Sequence, residues 1–215
     1  MRLIYCFASV SVLVWLLSCT ANGGKNTLTD PETLYAAFEA HPTPWDTLRF
    51  FLSDQPSDRA VSDTLLKKCL DKATFEYLHF QTGAPKFWAG KKYPFADELD
   101  ICLLYIEEFW FKKQVLLFYD KIKHTFVSAR EVAHFYGGDG GQTAMESWIF
   151  HKPPAPCLYF KIADHWLVIE QDQEEPTEHL QESGELLCWE RSAFAPMLTP
   201  DSLQLKKHFK MQHPW

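Results

Sequence analysis

Basic charge is scarce in this chain: 21 lysines and arginines stand against 28 aspartates and glutamates, a formal net charge of −7 over 215 residues. That balance argues against a nucleic-acid binder and against a protein held electrostatically on anionic lipid, since both need a basic footprint. Spacings that carry familiar chemistry are missing too. No CxxC, HExxH, HxH, GxSxG, SxxK or GxGxxG pattern is present, which removes the signatures of thiol redox sites, zinc hydrolases, serine hydrolases and dinucleotide-binding turns. Internal repeats and low-complexity blocks are lacking as well. What remains is an ordinary globular balance, 47% hydrophobic and 23% charged, long enough for one packed domain.

Charge is absent altogether from Leu3 to Ala21, 19 residues behind a single Arg2, and the run "SVLVWLLSCTAN" ends in small residues. This is the layout of an export signal. Leu16-Leu17-Ser18-Cys19 resembles the lipobox of bacterial lipoproteins: a hydrophobic residue, a tolerant position and a small residue before the cysteine. The resemblance covers residues 1 to about 24. It implies cleavage before Cys19, diacylglyceryl transfer to its thiol and often acylation of the new amine. Two or more chains anchor stably where one does not, at about 0.8 kcal/mol per buried methylene. It also implies the bacterial cell envelope, outer membrane ahead of inner. Two other readings stay open: ordinary cleavage after Ala21, and an uncleaved helix near bilayer-spanning length. All three put the domain outside the cytoplasm. Residues 1–18 are therefore expected as signal peptide, 19–29 as lipidated cysteine and flexible tether, and 30–215 as one globular domain.

Four further cysteines, Cys69, Cys102, Cys157 and Cys188, would persist in an oxidising compartment, where three pairings are possible. Cys102 in "DICLLYI" and Cys188 in "ELLCWE" equally suit small buried hydrophobes.

Helical spacing and cap residues predict helices over Pro31–Ala40, within "PTPWDTLRFFLSD" and within "SDRAVSDTLLKKCLDKA". Past residue 81 the texture becomes β-branched and aromatic. Strands are predicted at Leu99–Phe111, Gln114–Asp120, Thr125–Glu131, Met145–Lys152, Cys157–Ala163, Trp166–Gln171 and Glu185–Ser192. Turns are expected at Pro153–Pro156 and Ala163-Asp164, and short connections mean antiparallel pairing. Thr199-Pro200-Asp201 announces a C-terminal helix, and the acidic stretch from Glu170 to Glu185 reads as an exposed loop. The expected fold class is α+β, with N-terminal helices on a curved antiparallel sheet, in the element order of cystatin-like or NTF2-like folds. A calycin-like β-barrel is the alternative.

Chemistry is harder to place. "FYGGDGGQT" gathers four of the nine glycines around Asp139, a turn whose amides could approach a ligand. His124, His134, His151 and His165 would make a metal site if they converged with Asp139 or Asp164. Glu107 and Glu108 point to opposite faces of a strand, which defeats a paired-carboxylate mechanism. Trp148, Trp166 and Trp189 fall in three candidate strands and would form an apolar pocket or a stacking platform for sugar or lipid if they shared one concave face. Trp88 and Trp110, near strand ends, are better placed for exposure. The expected role is non-catalytic binding of a small apolar or glycan ligand, or of a partner protein, with no cofactor. An envelope hydrolase near His134 and Asp139, with or without an assisting metal, is the alternative.

Overall fold

The computed structural model describes residues 28–42, 44–52, 58–80, 83–138, 140–169, 175–190, 192–197 and 202–212. The signal region, Cys19, nearly all of the expected tether and Asp139 lie outside them. Among the described residues no helix is long and apolar enough to cross a membrane.

Thr29 opens the first helix, α1 (Asp30–Ala37), with a full capping box: its side chain accepts from the Glu32 backbone while Glu32 reaches back to the Thr29 backbone. The tether therefore stops short of Thr29. Two strands expected as helix follow, β1 (Glu39–Ala40) and β2 (Thr47–Phe50). Trp45, Leu48, Phe51 and Leu52 do fall at helical spacing, but pairing overrides propensity here. Leu48 and Phe50 alternate inward while β2 lies antiparallel on a later strand. The third expected helix, read within residues 57–73, is also corrected: Ala60–Val61 pairs as β3, α2 (Asp63–Cys69) ends at Leu70, and a separate α3 (Lys72–Leu78) starts at the end of the expected segment, with Ser62 and Asp71 as the two N-caps.

From there the chain is an antiparallel meander: β4 (Lys86–Ala96), β5 (Leu99–Glu108), β6 (Phe111–Asp120), β7 (Thr125–Gly138), β8 (Gly141–Lys152), β9 (Ala155–Val168), β10 (Thr177–Glu190) and β11 (Ala193–Pro196), with α4 (Ser202–His208) at the end. The sheet order is β1-β4-β5-β6-β7-β8-β9-β10-β11, with β2 on β8 and β3 on β4. The molecule is thus mostly β with a few short helices, and its sheet is open rather than closed. The calycin-like barrel is thereby corrected. No described helix exceeds eight residues, so none is the long helix that a cystatin-like sheet wraps. The expected Ala163-Asp164 turn is also corrected, because β9 runs straight through it and pairs with β10 without interruption. Half of the acidic stretch, from Thr177 onward, is strand. The strand β4, hidden in sequence by Gly90 and Pro94, absorbs them at two irregularities in its register.

Burial explains why β5 and β6 read as apolar on both faces. Ile101 and Leu103 with Leu116 and Phe118 enter one core; Cys102 and Leu104 with Val115 and Leu117 enter another. The second core takes Leu34, Leu66 and Leu78 from the helices. The first takes Leu158 and Leu187 from β9 and β10, along with Trp45, Leu48 and Phe50. β5 and β10 are five strands apart in sheet order, about 24 Å at ordinary spacing, so they share a core only because the sheet folds over on itself. The fold occurs between β7 and β8. These strands pair only through His134–Gly138; below that, β7 stays with β6 and β8 takes β2 as its neighbour. On the outer side of β8–β10, Trp148, Tyr159 and the Cys157–Cys188 disulfide pack with Phe209, just past α4. Cys69 and Cys102 are free and buried.

Candidate functional site

Where β7 and β8 part, the sheet cannot fill the space between its two arms, and a cavity of about 480 Å³ remains. Its walls come from five places: Leu52 beyond β2, the β5–β6 hairpin from Glu107 to Lys112, His134 and Phe135 of β7, Ala144 to Glu146 of β8, and Met211-Gln212 of the C-terminal tail. Two contacts fix the tail. Phe209 packs on Trp148, Phe150 and Tyr159, and the Gln212 amide donates to Glu146 Oε1 at 3.0 Å. The other Glu146 oxygen accepts from the Arg49 guanidinium at 2.7 Å, so a carboxylate only 6% exposed is balanced by a charge from β2.

The rim carries the feature that packing does not explain. Glu108 pairs with Phe111 across the hairpin, which leaves Phe109 and Trp110 as a two-residue turn. Phe109 has φ 55 and is 72% exposed; Trp110 is 62% exposed. Two-residue hairpin turns with positive φ at the first position favour glycine, and a bulky residue there costs on the order of 1 kcal/mol. Neither ring gains burial in return. Beside them, Glu107 and Lys112 face each other in the ladder, and no ion pair joins them among the described residues, so both heads remain available at the cavity wall.

His134 lines the cavity with its strand but turns its ring to the other face. There it stacks on Tyr136 at 4.2 Å, its Nδ1 meets the Glu131 carboxylate, and the opposite residue Lys113 bonds the Tyr77 carbonyl at 2.9 Å. Its Nε2 is buried without a hydrogen-bond partner among the described residues. Tyr136, half-buried and bonded to the same carboxylate, has its phenol pushed above the usual tyrosine range, first by desolvation and then by the Glu131 charge. Burial likewise lowers the Lys113 ammonium.

The three tryptophans expected as one platform are not brought together. Trp148 is buried on the outer face of β8, whereas Trp189 faces the inter-arm core against Phe95 and Phe118. Trp166 shares the Trp189 face but lies nine residues beyond the Cys157–Cys188 pair, about 30 Å along the strand, where it stacks on His179. The histidines are dispersed as well. His124 meets Glu32 at 3.3 Å, His151 stacks on Trp45 at 4.4 Å and His165 meets Glu178 at 2.6 Å, while Asp164 is bonded by Thr143. Among the described residues no three His, Cys, Asp or Glu side chains group as metal ligands.

Trp110 does stand exposed, but Phe109 was hidden in the expected strand Leu99–Phe111 because Phe-Trp carries no turn signature. A signal was present in "EEFWFKK", where an acidic pair and a basic pair flank the aromatics as facing strand ends would. The tail residues Met211 and Gln212 had no such signal. The sequence matches no known family model, and neither curated proteins nor solved structures show a match.

Proposed function

We propose that this protein is a lipid-anchored, non-catalytic component of a bacterial cell envelope that holds a small ligand in the cavity at the parting of β7 and β8. The observation that carries the reading is the Phe109-Trp110 turn: two exposed aromatics, one in a backbone conformation that favours glycine, at the rim of a cavity of ligand size. Core packing accounts for neither. Support for the anchor is the resemblance of Leu16–Cys19 to a lipobox. In this reading the α+β arrangement is functional: the short helices close one face of β4–β7 and leave the end with the cavity open. The hydrolase alternative near His134 and Asp139 draws little support, since the His134 ring is turned away from the cavity.

Native mass spectrometry of the membrane-extracted protein tests both halves together. The expected species begins at Cys19 with acyl chains and retains a small molecule that the Trp110→Ala variant loses. A chain starting at Asn22 or at Met1 would remove the anchor, and equal ligand retention by both proteins would remove the cavity.

A further inference from the structure

A second cavity, of about 330 Å³, borders the first, and Trp110 and Phe135 line both. These two rings therefore stand between two compartments. The far compartment is built from Gly137, Gly138 and Gln142 at the base of the β7–β8 turn. A side chain on Gly138 would meet nothing within 4 Å, so the space beside that backbone is open. Gly140, in the turn that follows, has φ +113, a conformation that favours glycine, and a side chain there would likewise meet nothing within 4 Å.

The ligand chemistry follows from what the two compartments share. Each offers an aromatic face beside uncommitted polar groups: Glu107 and Lys112 on the near side, and the Gln142 amide on the far side. An acyl chain calls for an enclosed apolar tunnel and leaves such groups unsatisfied. A sugar ring uses both, laying its C–H face on an aromatic ring while its hydroxyls bond carboxylate, ammonium and amide at the edge. Resting on the cavity reading above, we infer that the ligand is a glycan of at least two sugar rings, one in each compartment, straddling Trp110.

The test screens the soluble domain, residues 20–215, on a glycan array and then titrates the best ligand and its shorter fragments by calorimetry. A hydrophobic fluorophore, anilinonaphthalene sulfonate, is titrated in parallel. The expected result is an array ligand whose disaccharide binds at least tenfold tighter than the monosaccharide. Trp110→Ala should weaken it by about tenfold or more, and Gln142→Ala should reduce the gain from the second ring but not monosaccharide binding. Ile122→Ala, an exposed side chain just past the end of β6 opposite Trp110, should change nothing. Equal affinity for one and two rings, or no array ligand while the fluorophore still binds in a Trp110-dependent way, overturns the glycan inference and leaves the cavity reading standing. Failure of both probes to bind overturns the two together.

Discussion

The two ends of the β5–β6 hairpin use the same kind of residue for opposite ends. At the base, Ile101 to Leu104 and Val115 to Phe118 are buried on both faces and tie two cores together. At the tip, Phe109 and Trp110 stand in solvent on a turn that would be easier to make from glycine. Apolar side chains at the base are explained by the water they exclude on folding. Those at the tip have no such explanation, and their exposure and positive φ are the ground on which the proposed function assigns that end of the hairpin to recognition.

Mutation at the two ends should break the symmetry sharply. Phe118→Ala at the base is expected to destabilise by about 3–5 kcal/mol and Leu104→Ala by about 2–5 kcal/mol, whereas Trp110→Ala should stay within about 0.5 kcal/mol of wild type in denaturant unfolding. A comparable loss at the tip would make Trp110 a packing residue after all. The outer arm depends on a different device. Cys157 and Cys188 face each other across β9 and β10 at a sequence separation of 31, and replacing both with serine should cost about 3 kcal/mol. An unchanged unfolding midpoint would show that the ladder alone holds the arm.

The two remaining thiols sharpen the base of the comparison. Burial pushes Cys69 up to about 11 and Cys102 higher still, so on the order of 0.1% of Cys69 is thiolate at pH 8. Iodoacetamide should leave both unmodified in the folded protein within an hour and label both in denaturant; rapid native labelling would mean that the helical cover opens. A smaller effect is expected in acid. Backbone and side-chain hydrogen bonds hold Glu32, Asp71 and Asp120 below the usual carboxylate range, Glu32 and Asp71 as helix-cap partners and Asp120 at the β6–β7 turn. The stability they add is complete above about pH 5, clear of their unfolded values, and drains as pH falls through their folded ones. Replacing them with Gln, Asn and Asn should flatten that acid slope without changing the midpoint slope near neutrality.

Antiparallel β-structure, its strands apolar on both faces and the start of the first helix were legible because each leaves a local trace in residue type and spacing, although the cap itself is Thr29, one residue before the expected Asp30. The fold-over was not. It depends on β8 exchanging β7 for β2 past Met145, a decision made by contacts between segments 90 or more residues apart, such as Arg49 with Glu146. The same contacts turned the helical-looking segment at Thr47–Phe50 into a strand. The site inherits that illegibility, since its walls come from five separate stretches. Trp110, His134 and the glycines near Asp139 could be singled out beforehand, and Trp148, Trp166 and Trp189 could not be told apart from them without knowing which faces they share.

Phe109→Gly tests most directly whether the hairpin tip is shaped for a ligand rather than for the fold. Relieving the positive φ should raise stability by up to about 1 kcal/mol while weakening binding at the cavity several-fold, two readouts of one variant moving in opposite directions. If the variant instead loses stability, or gains it with binding unchanged, the aromatics at the tip are not there for recognition.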